Sequence, residues 1–131
     1  MISTRGRYAL ALMIDIAEQD TKNYIALKDI AKRQGISKKY LEAIVKKLVD
    51  AGLLEGISGK NGGYRLTKKP SKYNIYEILK LTETSLSTVS CVGEKATACD
   101  RKNTCKTCST WAELNDLIRK YLQKKKLSEF I

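Results

Sequence analysis

Histidine is absent from the 131 residues, and proline, tryptophan and phenylalanine occur once each. Without histidine the commonest general base and a frequent metal ligand are both missing. No glycine-rich phosphate loop opens a helix and no paired carboxylates accompany an evident cleft, so the sequence reads as a protein that is not an enzyme. Long hydrophobic runs are absent too: nothing approaches the roughly 20 apolar residues that span a bilayer. Arg5 and Arg7 do precede an apolar stretch from Tyr8 to Ile14, but Asp15 and Glu18 interrupt it and no small-residue cleavage site comes after it. The expectation is a cytoplasmic protein with no membrane partner. Internal repeats and low-complexity tracts are also missing, and a chain of this length supports one core with an appendage.

Cysteine is missing from the first 90 residues and then occurs four times, as Cys91, Cys99, Cys105 and Cys108, with seven, five and two residues between them. In a reducing compartment such clustering favours a metal or redox role over structural disulfides. Lys95, Arg101, Lys102 and Lys106 surround the cluster and favour thiolate, the form that binds metal. Four thiolates suit an iron-sulfur cluster or tetrahedral zinc. Only Cys105 and Cys108 have the tight spacing of a structural zinc knuckle, so spacing leaves open a cluster, zinc and a thiol-disulfide switch.

The formal charge is +11, and it is uneven. Residues 1–70 hold 14 lysines and arginines against 7 acidic residues, whereas residues 71–131 hold 11 against 7. A basic first half points to a polyanionic partner such as nucleic acid, although a solvated lysine face has the same composition.

Local patterns place elements along the chain. Ser3 or Thr4 can cap a helix from about Arg5 to Gln19, dense enough in apolar residues to be buried on most sides. Leu27, Ile30 and Ala31 stripe a second helix, Leu27 to Gln34, which Gly35 ends. Ser37 caps a third, Lys38 to Ala51, with Leu41, Ile44, Val45 and Leu48 on one face and Lys38, Lys39, Lys46 and Lys47 off it. Helix, short glycine turn and capped helix form either a helix-turn-helix or an ordinary helical hairpin with a wet lysine face. The next stretch of chain favours the first: a strand from Leu54 to Ile57, the turn Ser58 to Gly63 and a returning strand from Tyr64 to Thr67 make a wing. After Pro70 come a short helix, Ile75 to Thr82, and an aperiodic cysteine segment, Ser85 to Thr107. A final helix runs to about Lys126, with Thr110 and Glu113 at capping-box spacing and Trp111, Leu114, Ile118, Tyr121 and Leu122 as an apolar stripe for dimerisation.

The predicted fold is therefore mainly α with a small β-hairpin wing. Residues 1–70 form a winged helix-turn-helix whose first helix also packs at the dimer, 71–109 the short helix and cysteine loop, and 110–131 a dimerisation helix and tail. In a helix-turn-helix the N-terminal residues of the second helix reach base edges. The candidate DNA surface is thus Ser37, Lys38, Lys39, Tyr40, Glu42 and Lys46, with Gly59, Lys60, Asn61 and Gly62 of the wing, Lys28, and Thr4, Arg5 and Arg7 of the first helix.

Four segments, Ile2 to Ala9, Ile36-Ser37 through Tyr40-Leu41-Glu42, Ala51-Gly52-Leu53 and Gly62-Gly63-Tyr64, resemble the IscR-like family of winged-helix iron-sulfur transcription regulators. The resemblance covers essentially the whole chain. It implies a homodimeric regulator of double-stranded DNA, each subunit reading one half-site, with Cys91, Cys99 and Cys105 holding a 2Fe-2S cluster. The family's fourth ligand is a histidine, and Cys108 stands at that position here. A fourth thiolate adds negative charge and so implies a reduction potential below that of a histidine-ligated relative. The gap between the first two cysteines is longer than in the family, and Ser58 stands where the family has a wing arginine, whose role Lys60 would share. Glu42 falls at a position that distinguishes classes of DNA site. A ferredoxin-type electron carrier would also cluster cysteines, but it accounts for neither the helix-turn-helix nor the basic first half.

Overall fold

The computed structural model describes residues 1–19, 22–93, 101 and 103–131. Among the described residues, five α-helices and one hairpin run in the order α1 (Thr4–Glu18), α2 (Leu27–Gln34), α3 (Lys38–Asp50), β1 (Leu54–Ile57), β2 (Gly63–Leu66), α4 (Ile75–Thr82) and α5 (Cys108–Lys124). Single 3-10 turns lie at Pro70–Lys72 and Leu127–Phe130.

Helix α1 is the hub. Ala9, Leu12, Met13, Ile16 and Ala17 are buried on it, against α2, α3 and α4. Each fully buried leucine or isoleucine in this core contributes about 1.5–3 kcal/mol relative to exposure. One buried residue of α1 is charged: Asp15, 2% exposed. Arg33 Nε lies 3.1 and 3.2 Å from its two carboxylate oxygens, Arg33 Nη2 donates at 2.6 Å, and Gln34 Nε2 donates at 2.8 Å. This fork fastens the C-terminal turn of α2 to α1, and the Asp15 hydrogen bond holds the Arg33 guanidinium above its usual pKa range.

Gly35 closes α2 in the left-handed conformation (φ 65°), which an L side chain adopts only at a cost. The chain then turns into α3, where Ser37 Oγ accepts the Tyr40 N–H at 3.5 Å. Leu41, Ile44, Val45 and Leu48 are buried as their spacing requires. The hairpin is antiparallel, with Leu54 opposite Leu66 and Ile57 opposite Gly63. The returning strand therefore starts at Gly63 and stops at Leu66, one residue earlier at each end than the sequence pattern indicated. Packing sets the shift: the Gly63 backbone lies against residue 25, whose carbonyl oxygen would stand 2.2 Å from a Cβ at position 63. There Ile25 and Tyr64 exchange two backbone hydrogen bonds, at 2.8 and 2.9 Å, and tie the hairpin to the segment before α2.

The chain end returns to the base of the wing. Leu127 is fully buried, its N–H donates to the Tyr73 carbonyl at 3.0 Å, and the Ile75 N–H donates to the Lys125 carbonyl at 3.0 Å. Helix α5 packs on α4 through a small cluster of Ile75, Leu79 and Leu122.

Helix α5 departs from the sequence-based expectation in two ways. It starts at Cys108 and ends at Lys124, so Thr110 and Glu113 lie inside it rather than forming a capping box. Its apolar residues also divide into two stripes. Trp111, Ile118 and Leu122 turn inward in line with Cys108 and Asn115, at spacings of three and four residues, whereas Leu114, Leu117 and Tyr121 are 37, 65 and 63% exposed. The inward stripe extends back to Cys108, the first residue of the helix.

Candidate nucleic-acid interface and cysteine segment

Helix α3 and the wing face each other across an open groove. Its walls gather Lys28 of α2, Lys38 and Glu42 of α3, and Gly59, Lys60, Asn61 and Gly62 of the wing. Half of the candidate DNA residues, drawn from three elements, thus line one concave surface. Asn61 adopts φ 65° at the wing tip, a conformation that asparagine tolerates better than most residues. Ser37, the N-cap of α3, and Lys39, Tyr40 and Lys46 on the helix are exposed beyond the groove lining. The Tyr40 ring meets Tyr8 of α1 edge-on, with centroids 5.3 Å apart, so the start of α3 is braced by α1. Thr4, Arg5 and Arg7 are exposed on the first turn of α1, where Arg7 Nη2 donates to Thr4 Oγ1 at 3.1 Å.

The groove also takes in Lys22, Asn23 and Tyr24, which local pattern did not single out. They arrive there through the Ile25–Tyr64 bridge, a contact between residues far apart in the chain. Arg65 is committed to structure: its guanidinium lies 4.4 Å from the Tyr24 ring centroid and pairs with Glu55 across the hairpin. Tyr73 holds the base of the wing. Its buried hydroxyl donates to the Leu53 carbonyl at 2.7 Å and accepts the N–H groups of Thr67 and Lys68 at 2.9 and 3.2 Å.

The arrangement is a winged helix-turn-helix whose groove gathers Lys22, Lys28, Lys38 and Lys60 with Asp29 and Glu42. The model of the Rrf2 family, described as an iron-dependent transcriptional regulator, matches residues 2–131. The chain belongs to the Rrf2 family. Within it, the chain is 33% identical over 130 residues to the HTH-type transcriptional regulator IscR of Aliivibrio salmonicida strain LFI1238, covering 99% of this chain and 76% of that protein. Two solved Rrf2-type structures share the fold. CymR (YrzC), the global cysteine regulator of B. subtilis, aligns with a TM-score of 0.77 at 32% identity over 98% of this chain and 93% of its own. T. potens IscR aligns at 0.74 and 28% identity over 98% and 83%. As a member of the Rrf2 family, the protein is a DNA-binding transcriptional regulator, and its relatives are regulators rather than enzymes. Among the described residues, no helix is long and apolar enough to cross a membrane.

The cysteine segment of this Rrf2 protein is described in part. Cys99, with Lys95 and Lys102, lies outside the described residues. Cys91 and Cys105 are exposed free thiols, and Cys108 is half-buried at the first position of α5. Among the described residues these thiols do not converge into a group that could hold a metal ion. Their chemistry nevertheless suits one. Cys105 Sγ lies 3.5 Å from the Thr107 hydroxyl, and this contact, helped by backbone N–H groups of Thr107 and Cys108 and by the charge of Arg101, holds the thiol below its ordinary pKa. Cys91 is positioned from α5: Asn115 Oδ1 accepts the N–H and hydroxyl of Thr88, each at 2.9 Å, and Asn115 Nδ2 donates to Ser87 Oγ at 2.8 Å. The Ser87 hydroxyl in turn reaches the Val89 and Val92 carbonyls, which closes a loop around Cys91.

Proposed function

We propose that this regulator works as a homodimer whose affinity for DNA responds to a 2Fe-2S cluster held by Cys91, Cys99, Cys105 and Cys108. In this reading residues 1–70 read DNA, the segment from 71 carries the sensor, and α5 pairs the subunits through Leu114, Leu117 and Tyr121. The observation that carries the DNA half is the groove between α3 and the wing, where Lys28, Lys38 and Lys60 present charge beside Glu42 and Asn61. The sensor half is supported by four thiols of soft-ligand chemistry, one of them shifted toward thiolate, on the stretch that runs from Cys91 to the first residue of α5. When bound, the cluster would supply a redox-active, ligand-sensitive centre; the chain's own residues hold it and join it to the DNA face.

Anaerobic purification followed by iron, sulfide and zinc analysis and an absorption spectrum tests the cofactor. Operator affinity of apo and loaded protein at one salt concentration tests the sensing. Equal affinities would remove the sensing role. A second reading, a thiol-disulfide switch, rests on the depressed Cys105 thiol three positions before Cys108. It requires colourless protein whose DNA affinity changes reversibly with a dithiol reductant. Stoichiometric zinc in a colourless protein would instead indicate a structural site.

A further inference from the structure

Helix α1 begins with an incomplete capping box. Ser3 is its N-cap, and Ser3 Oγ accepts the Gly6 N–H at 3.2 Å. In a complete box a glutamate or glutamine at the position of Gly6 would reach back to the Ser3 N–H. Glycine has no such group. The acceptor is instead Glu83, 80 residues away and immediately beyond α4: its Oε1 takes the Ser3 N–H and the Ser3 hydroxyl, both at 2.9 Å. A Cβ on residue 6 would stand 2.0 Å from that oxygen and 3.1 Å from Leu79 Cδ2. Gly6 and Glu83 therefore form one device, in which the absence of a side chain in α1 makes room for a carboxylate from the end of α4.

The first turn of α1 is consequently oriented from outside the helix. That turn carries Thr4, Arg5 and Arg7, all exposed. A second tie lies beside it, where the terminal ammonium of Met1 donates to the Ser85 carbonyl at 3.3 Å. Both ties anchor this end of α1 to the start of the segment that runs to Cys91.

We propose that Glu83 is a positioning residue for DNA binding, which sets the attitude of the first turn of α1 so that Thr4, Arg5 and Arg7 meet backbone phosphates. This rests on the reading that those three residues face DNA. The test compares Glu83→Ala, Glu83→Gln, Gly6→Ala, the Gly6→Ala/Glu83→Ala double variant and an Arg5→Ala/Arg7→Ala control with wild type. Fluorescence anisotropy against a duplex selected from a random pool by the wild-type protein is run across a salt series, with thermal melting of the same samples. Glu83→Ala is expected to weaken binding about tenfold and to flatten the dependence of log K on log salt by about one unit, the signature of a lost phosphate contact, with the melting temperature little changed. Glu83→Gln keeps an acceptor oxygen and retains most of the affinity. Gly6→Ala reproduces the Glu83→Ala defect but adds little to it in the double variant, because the displaced oxygen is already gone.

Wild-type affinity and slope in Glu83→Ala, alongside a weakened arginine control, would overturn the inference and leave the DNA face intact. Early melting with an unchanged slope would also overturn it, by reducing Glu83 to a packing role. If the arginine control binds like wild type, the placement of α1 against phosphates fails and the inference fails with it.

Discussion

Tyr73 shows how much one side chain can hold. Its ring is fully buried and its hydroxyl bridges the carbonyl of Leu53, before β1, to the N–H groups of Thr67 and Lys68, after β2. Both ends of the wing are pinned by one oxygen. Tyr73→Phe keeps the ring but leaves the Leu53 carbonyl without this donor and two N–H groups without this acceptor, so urea unfolding is expected to show a loss of about 1–3 kcal/mol. Nothing in the local pattern around Pro70 marks this tyrosine, because its partners lie 5 to 20 residues back in the chain. Cys108 is different: its place among four clustered cysteines is plain from sequence, but its place at the head of the inward stripe of α5 is not. If it ligates the cluster, Cys108→His removes one negative charge there, and redox titration of the reconstituted protein should show a higher potential than wild type. An equal or lower potential would place Cys108 outside the ligand set.

At the scale of elements, α2, α3 and α4 are legible because their signals are local. Gly35 needs a left-handed turn, Ser37 supplies a cap, and apolar residues recur every three or four positions. Asn74 and Glu77 likewise close a capping box at the start of α4. Helix α5 is not legible in this way. Thr110 and Glu113 have the spacing of a capping box, yet the start of the helix tracks the inward stripe, which Asn115 extends with a polar residue that periodicity does not count. The outward stripe leaves Leu117 and Tyr121 mostly exposed on a 17-residue helix, and apolar exposure in a row along a helix fits pairing with a second copy. If the subunits pair through this stripe, Leu117→Glu should raise the dimer dissociation constant about a hundredfold, as loss of a central apolar anchor would, without changing helix content. Sedimentation velocity with circular dichroism of the same samples checks both halves of that expectation.

At the scale of the molecule, the groove between α3 and the wing is assembled from pieces that no single window of sequence contains. Groove residues come from α2, α3, the wing and the segment at 22–24, which joins the wing through the Ile25–Tyr64 bridge. Lys39 stands exposed near the start of α3, beyond the groove lining. If it reads a base, Lys39→Ala should cost about 1–3 kcal/mol and relax preference at one position of the selected site. If it meets a phosphate, the loss should be uniform across duplexes with a salt slope smaller by about one. Binding measured on a panel of single-base variants at several salt concentrations distinguishes the two, and wild-type behaviour throughout would place Lys39 off the interface.

Sequence by itself determined the elements of the winged helix, the basic character of the first half and the clustering of the cysteines along the chain, because caps, turns, periodicity and charge act over a few residues. Tertiary structure alone decided how these pieces meet. The Asp15–Arg33 fork, the Tyr73 hydroxyl, the Asn115 clasp at Cys91 and the Glu83 cap on α1 join residues 5 to 80 positions apart. Each forms only when packing brings a polar group within reach of a distant partner, and no short stretch of chain encodes that proximity.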